Sequence, residues 1–276
     1  MKVLVTGSSG FLGSAISTAL CNAGHEVVSL DIEDGGVTNV EYLKSKMEGV
    51  QSVVHCGALI GPRTKAAFQE FYDTNVIGSI NLVNAAREAK VQRVVLASTT
   101  LVRTLRGFYA TTKAMSETAL RGLCRCNEID FVGLRLFNVY GPGQTSRNGA
   151  LIPVVIEDIL KDRPVTVHGT GQQTRDFVYV SDVANAFVTA VESATPFKGM
   201  CFDLGTGWTT KVQTVVRLLF EVAEKQPHLR FTNVPNEENL QWSCADPAMC
   251  RERLGIKDFV AVRDGLLETW KWAQGR

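Results

Sequence analysis

Residues 1–13, MKVLVTGSSGFLG, decide the fold of this 276-residue chain. An apolar run rich in β-branched residues breaks there into three spaced glycines, and a helical pattern follows. In such a turn the first glycine allows the tight bend, the second lets the backbone approach a pyrophosphate, and the third lets the helix pack close to the strand. The unpaired N–H groups and the positive end of the helix favour phosphate. The stretch therefore predicts a dinucleotide cradle, and the alternative is a glycine-rich turn of an ordinary α/β protein. The residues expected to contact the cofactor here are Gly7, Gly10, Phe11, Leu12 and Gly13.

An acidic residue comes after the next predicted strand, at 25–30. Asp31 follows directly, with Ile32 beside it. A carboxylate at this place accepts hydrogen bonds from both ribose hydroxyls of NAD and repels the additional phosphate of NADP. No Lys or Arg occurs in the six residues after Asp31, and Glu33 and Asp34 add negative charge. We therefore expect NAD as the cofactor, bound by Asp31 and Ile32; the alternative is that Asp31 only begins a turn.

The composition gives no indication of a nucleic-acid, membrane or metal partner. Of the 276 residues 45% are hydrophobic, and 29 basic residues nearly balance 28 acidic ones, so no broad attraction to nucleic acid is expected. No apolar stretch is long enough to span a bilayer, and the first strand leaves no room for a targeting peptide. The seven cysteines lack metal-ligand spacing. We therefore expect reduced thiols, no metal site, no membrane partner and a cytoplasmic location.

Strands alternate with helices along the first half of the chain, which predicts a parallel, doubly wound sheet. Cys56, Gly57 and Ala58 end or follow a strand at 51–56, where small residues would let a cofactor lie across the strand end. A strand at 93–98 leads into Thr99 at the edge where open α/β sheets bind ligands. Between these strands the helical pattern at 68–90 is interrupted near 73–75.

A tyrosine and a lysine four residues apart lie on one face of a helix expected at 109–127. They are Tyr109 and Lys113. A nearby ammonium stabilises a phenolate and lowers the phenol pKa, so such a tyrosine can exchange a proton with a substrate hydroxyl while hydride moves to or from a nicotinamide. Thr99 or Ser98 would hold the same hydroxyl. The alternative is a surface tyrosine and lysine on an ordinary helix.

Two polar residues in the second half are candidates for substrate binding. Asn138 follows a strand at 131–136 and offers an amide to a phosphate or a sugar, or it caps a turn. Arg175 can grip a phosphate through two hydrogen bonds, or it forms a surface pair with Asp176. Helices are expected around them and beyond, at 151–160, 182–193, 211–225 and 262–273.

Taken together, these motifs resemble the extended short-chain dehydrogenase/reductase family, in its NAD-dependent epimerase/dehydratase group. Two stretches specific to that group are RLFNVYGPG at 135–143 and RDFVYVSDV at 175–183. The resemblance implies a Rossmann-type, doubly wound α/β fold, with an NAD-binding domain at 1–140 that includes return segments near 176–207. A smaller C-terminal α/β domain at 141–276 would bind substrate. The resemblance also implies a homodimer formed by the helices near 68–90 and 109–127. It adds Asn75, Ser98, Tyr109 and Lys113 to the NAD contacts, and it gives Arg175 a role on a nucleotide-sugar diphosphate.

The sequence departs from the family pattern in four places. The stretch 31–41 lacks room for the usual additional strand and for the acidic pair that contacts adenine, because Val37 and Thr38 stand there. Only nine residues separate Thr99 from Tyr109, so the site should be open or be closed by another segment. Arg103 and Thr104 replace the usual tyrosine and glycine. The second phosphate-binding arginine is missing from the stretch 235–239, which reads PNEEN.

The leading functional hypothesis is a nucleotide-sugar epimerase acting at the 4-position with tightly held NAD. Thr99, Tyr109 and Lys113 would be its catalytic residues, and Thr99, Asn138 and Arg175 would contact the sugar nucleotide. Thr100 and Leu101 stand where a dehydratase needs an Asp-Glu pair and a decarboxylase an acid, which excludes both reactions. A dehydrogenase or ketoreductase that uses the same residues is the alternative. A third interpretation is an NAD-sensing protein without chemistry, which the presence of Tyr109 and Lys113 disfavours.

Overall fold

The computed structural model describes residues 1–60, 67–233 and 244–275. Its strands are β1 Lys2–Thr6, β2 Glu26–Leu30, β3 Ser52–His55, β4 Arg93–Thr99, β5 Asp130–Leu136, β6 Asn138–Tyr140, β7 Val165–His168, β8 Thr174–Arg175, β9 Phe177–Tyr179, β10 Met200–Leu204, β11 Thr210–Lys211 and β12 Leu229–Thr232. Its α-helices are α1 Phe11–Asn22, α2 Val40–Lys46, α3 Phe68–Phe71, α4 Gly78–Glu88, α5 Gly107–Cys126, α6 Leu151–Leu160, α7 Val180–Glu192, α8 Val212–Val222, α9 Ala248–Leu254 and α10 Val262–Gln274.

Six strands form one parallel sheet in the order β10-β5-β4-β3-β1-β2. The chain adds β2 on one side of β1 and then returns to add β3 on the other side. The strand order therefore reverses between β1 and β3, and a crevice opens outside the carboxyl ends of these two strands. The sheet confirms the expected α/β fold class, and the crevice is where a ligand is expected.

Between β2 and α2 the chain forms no additional strand, as the short stretch 31–41 predicted. After β2 the chain makes two short 3₁₀ turns, Ile32–Asp34 and Gly36–Thr38, and enters α2 directly. Val37 is buried against Gly78, where an added Cβ would lie only 2.4 Å from the Val37 methyl group. The compact turn thus packs on the first residue of α4 and replaces the third strand of the usual unit.

Helices cover both faces of the sheet. On one face Ile16 of α1 and Phe187 of α7 are fully buried in a cluster with β1, β4 and β5. On the other face α2, α4 and α5 bury leucines such as Leu43, Leu82 and Leu120. A third cluster joins α6, α8 and α10 with β7 and β9. Within the described ranges, none of the helices combines the length and apolar character that a bilayer crossing requires.

The expected interruption of the helix at 68–90 is a turn of π-helix at Tyr72–Ile77, between α3 and α4. Such turns are rare, and they often lie at functional sites because they turn side chains away from the regular helical register. Here Thr74 reaches the wall of the crevice, whereas Asn75 is buried behind it.

Candidate active site

The glycine-rich turn after β1 has the geometry of a phosphate cradle. Gly7 has φ of +67°, a conformation that favours glycine. A Cβ on Gly13 would lie 2.0 Å from the Gly7 carbonyl oxygen, so the helix can pack this close only with glycine at position 13. Gly10 precedes α1 and offers no side chain that could cap the helix. The first N–H groups of α1 are therefore left for a ligand, as a pyrophosphate requires.

Asp31 lies at the end of β2 with its carboxylate already oriented. Oδ2 accepts hydrogen bonds from the backbone N–H and the hydroxyl of Ser9, both at 2.7 Å, and Oδ1 accepts from the Ile32 N–H at 2.8 Å. Burial raises the pKa of Asp31, but these hydrogen bonds outweigh burial and hold it below its ordinary value. The carboxylate is therefore charged at neutral pH, as recognition of ribose hydroxyls requires.

Replacing Asp31 by asparagine is expected to weaken NAD binding about 10-fold and to bring the NADP affinity closer to that of NAD, because the change removes a charged acceptor and the repulsion of a phosphate. Calorimetric titration with both cofactors measures this. Glu33→Gln is the matched control, since it removes the same charge from an exposed residue two positions away. Unchanged affinities in the Asp31 variant would mean that this carboxylate serves only the turn.

One cavity of about 600 Å³ brings most of the predicted residues together. Beyond the glycine turn and Asp31 it is lined by residues from the ends of β3 and β4, from α5, and from the segment after β5. The predicted residues along its wall are Gly7, Gly10, Phe11, Leu12, Gly13, Asp31, Ile32, Cys56, Gly57, Ala58, Ser98, Thr99, Tyr109, Lys113 and Asn138.

Asn75 was expected to contact NAD, but the structure does not bring it to the cavity wall. Its side chain is 1% exposed. Oδ1 accepts from the Leu59 N–H at 2.7 Å, and Nδ2 donates to the Leu59 carbonyl and to the Thr112 hydroxyl, both at 3.0 Å. The amide thus ties the segment after β3 to α5. It lies behind the wall, between the segment after β3 and α5.

Arg175 also lies apart from the cavity wall. It belongs to β8, which pairs with β11, and its Nη1 donates to the Thr174 carbonyl at 2.8 Å. Burial lowers the pKa of its guanidinium. Asp176, the alternative partner considered from the sequence, is fully buried and instead accepts from the backbone N–H groups of Thr206, Gly207 and Ala245.

Asn138 stands at the start of β6 and lines the cavity. Its Nδ2 donates to the Asp176 carbonyl at 3.0 Å, and its own N–H donates to the same oxygen at 3.1 Å. These two bonds fix the side chain, so its carbonyl oxygen is the group left to accept a hydrogen bond from a ligand.

Tyr109 and Lys113 lie on successive turns of α5 and both line the cavity. Lys113 is 2% exposed. Burial lowers the pKa of its ammonium to about 8, against opposing effects of Cys56 and Glu117. Burial also raises the pKa of the Tyr109 phenol to about 12. The sequence predicted that the ammonium would lower the phenol pKa; in this structure burial is the dominant influence on that phenol, and its pKa moves the other way.

Ser98 and Thr99 end β4 beside this pair. The Ser98 hydroxyl donates to Glu117 Oε2 at 2.6 Å, so only its lone pairs remain for the cavity. The Thr99 hydroxyl accepts from the Leu101 N–H at 3.3 Å. It therefore keeps its own hydrogen for an acceptor in the cavity.

The short loop between Thr99 and Tyr109 is held by an ion pair. Residues Thr100–Arg103 form a 3₁₀ turn, and Arg103 reaches β10, where its two Nη atoms donate to the Asp203 carboxylate at 2.6 and 3.0 Å. The bidentate pair gives Arg103 a structural role in holding the loop against β10. The stretch 235–239, expected to lack the second phosphate-binding arginine, lies outside the described residues.

Sequence reasoning missed several residues of the wall, and Gln144 is the most informative. Its Nε2 donates to the Val139 carbonyl at 2.9 Å, which fixes the orientation of the amide. Its Oε1 is buried and has no hydrogen-bond partner among the described residues. A buried acceptor without a donor is costly, so this oxygen is suited to a hydroxyl or N–H of a ligand. Its place directly after the glycine-proline-glycine turn was the only signal in the sequence.

Comparison with known proteins agrees with this geometry. The chain is 29% identical to the UDP-glucose 4-epimerase of Mycolicibacterium smegmatis, over 98% of this chain and 97% of that one. Among solved structures, the UDP-glucose 4-epimerase of Thermotoga maritima with UDP-glucose has a TM-score of 0.89 at 25% identity, covering 100% of this chain and 99% of that one. The UDP-glucuronic acid 4-epimerase of Bacillus cereus, in complex with UDP-glucuronic acid and NAD, has a TM-score of 0.86 at 25% identity, with the same coverage.

A family model matches residues 3–203, which include the glycine turn, the Tyr109–Lys113 pair and the buried Asp176. The match spans well over half of the chain, from β1 to β10. The chain therefore belongs to the NAD-dependent epimerase/dehydratase family.

Proposed function

We propose that this chain is an NAD-dependent nucleotide-sugar 4-epimerase. The observation that carries the proposal is that one cavity joins the phosphate cradle and Asp31 to Tyr109, Lys113 and Thr99. The three relatives named above are UDP-sugar 4-epimerases, and each aligns with nearly the whole chain. We propose a UDP-sugar as the substrate on this basis.

The residues present fit the cofactor. The glycine turn and the N-terminus of α1 would hold the pyrophosphate, Asp31 the adenosine ribose, and Lys113 the ribose next to the nicotinamide. Bound NAD would supply the hydride acceptor that makes oxidation and re-reduction of the sugar possible.

The reaction needs a group that takes and returns the proton of the sugar 4-hydroxyl. Tyr109 is suited to this because it lines the cavity and precedes Lys113 by one turn of α5. Thr99 would donate its remaining hydrogen to the sugar oxygen and so orient it. Asn138 and Gln144 offer acceptor oxygens to the hydroxyls of the sugar. The keto form of the sugar must rotate in the cavity before it is reduced on its other face.

Two measurements test the proposal: the sugar product by NMR, and the reduction of NAD by absorbance. Purified protein with catalytic NAD and either UDP-glucose or UDP-glucuronic acid should convert the sugar to its 4-epimer, seen by NMR, without accumulating reduced cofactor. Stoichiometric reduction of added NAD would instead identify a dehydrogenase. If neither sugar nor NAD changes while NAD binds, the interpretation as an epimerase is wrong.

The organisation of the chain is part of the proposal. We propose that 1–140, with return segments near 176–207, binds NAD, and that 141–276 mainly binds substrate. The third apolar cluster, built from α6, α8 and α10, supports this division. We also propose a homodimer through the helices near 68–90 and 109–127, to be tested by gel filtration with light scattering. All seven cysteines lie in the described residues as free thiols, which supports a cytoplasmic location.

A further inference from the structure

Glu117 lies at the centre of a buried polar cluster that the proposed reaction does not use. The residue is 8% exposed, and its carboxylate accepts from Arg135 through Nη2 at 2.5 Å and Nε at 3.1 Å. It also accepts from the Ser98 hydroxyl at 2.6 Å. Burial raises the pKa of Glu117, but the bonds from Arg135 and Ser98 outweigh burial and lower it. The group is therefore an ionised carboxylate inside the protein.

This carboxylate follows Lys113 by one turn of α5, so both side chains lie on the same face of the helix. The other titratable groups near Lys113 are His55 at the end of β3, Cys56 after it and Tyr109 on α5. Burial, with the Lys113 charge, lowers the pKa of His55 to about 3, and burial raises the pKa of Cys56 to about 12 despite that charge. Burial also raises the pKa of Tyr109 to about 12. These three groups are neutral at pH 7, and Glu117 is the one negative charge among the described groups that act on Lys113.

We propose that Glu117 is a positioning residue that keeps the Lys113 ammonium charged and fixes Ser98 as an acceptor, while Arg135 keeps Glu117 ionised. The consequence for catalysis rests on the function proposed above; the charge of Lys113 does not. Without Glu117, Lys113 would be buried beside an uncompensated Arg135 and would lose its proton at lower pH.

Lysine labelled biosynthetically with ¹³C at Cε allows the Lys113 titration to be followed by NMR, with no cofactor or sugar added, and Lys113→Arg assigns the signal. Glu117→Gln is expected to lower the Lys113 pKa by about 1 unit or more, since a charge at this range has effects of that size. The double variant Glu117→Gln/Arg135→Met should titrate between wild type and the single variant, because it removes the unpaired cation too. Glu117→Asp should remain near wild type.

The pH profile of turnover provides the second measurement. Its decline at high pH should move to lower pH in Glu117→Gln and partly return in the double variant. A purely structural carboxylate would lower activity equally at all pH values. Glu88→Gln, which breaks an exposed ion pair with Lys44, is the matched control and should leave both measurements unchanged.

A Lys113 titration in Glu117→Gln identical to wild type would overturn the inference. If the single variant does not fold, the double variant still tests it, because its Lys113 should also titrate below wild type. Equal titrations in the single and double variants would mean that the unpaired Arg135 does not act on Lys113. The NMR measurement uses no substrate, so the two proposals can fail separately. If the titrations follow the expected order but the protein epimerises no sugar, the proposed function is refuted and the inference about the charge of Lys113 stands.

Discussion

Replacing Tyr109 by phenylalanine is expected to lower turnover about 1,000-fold or more, within the range that a general acid–base group contributes, while NAD still binds. The change removes only the phenol oxygen and keeps the ring that lines the cavity. Within the described ranges that oxygen makes no hydrogen bond to the protein, so its loss leaves no buried partner unsatisfied. The expected defect is therefore chemical.

Steady-state kinetics and calorimetric NAD titration separate these effects. Tyr42→Phe is the matched control, because it removes a phenol from α2, away from the cavity wall. If Tyr109→Phe retains most of its activity, another group carries the proton. Since burial raises the pKa of Tyr109 to about 12, the phenolate that would act as the base forms at neutral pH only if a positive charge acts on it when ligands bind.

Replacing Gly13 by alanine is expected to weaken NAD binding about 100-fold or more, because moving the turn weakens its hydrogen bonds to the charged pyrophosphate, each of which contributes about 1.5–3 kcal/mol. The added methyl group would lie 2.0 Å from the Gly7 oxygen and 2.7 Å from the Gly7 carbonyl carbon. Both are backbone atoms, so the turn itself has to move. We also expect a loss of about 1–3 kcal/mol in the free energy of unfolding, as overpacked interiors show.

Gly122→Ala is the control for this variant. Gly122 also lies within a helix, but nothing surrounds the position of an added Cβ within 4 Å. It should gain about 0.5–1 kcal/mol in urea unfolding, since alanine favours a helix interior over glycine. A Gly13→Ala protein that binds NAD as tightly as wild type would mean that the turn does not hold the pyrophosphate.

The sequence predicted the parts of this molecule that depend on local pattern. The strand, spaced glycines and helix of residues 1–23 place backbone groups by steric rules that any α/β unit obeys. The shortness of 31–41 likewise predicted the missing strand, because a strand and its return need more residues than the stretch contains. Family membership and fold class followed from such motifs and are confirmed.

Other features depend on burial and on contacts between distant residues. Asn75 has the same amide whether it faces a ligand or the Leu59 backbone, so its sequence position could not decide between them. The pKa of Tyr109 depends on solvent exclusion that no spacing reveals. Glu117 and Arg135 are 18 positions apart and meet only because α5 packs on β5. The unsatisfied oxygen of Gln144 could be recognised only after its neighbours were placed.

Among the residues that the structure describes, β2 is the border of the sheet, with one row of backbone N–H and C=O groups turned outward. Such a border can recruit a strand from another molecule and start aggregation. Here the strand is only five residues long, and its exposed side chains are the charged Glu26 and the polar Ser29. The short length of β2 and its polar side chains at these two positions disfavour such pairing. Apolar substitutions at Glu26 and Ser29 should therefore favour self-association without changing the cavity.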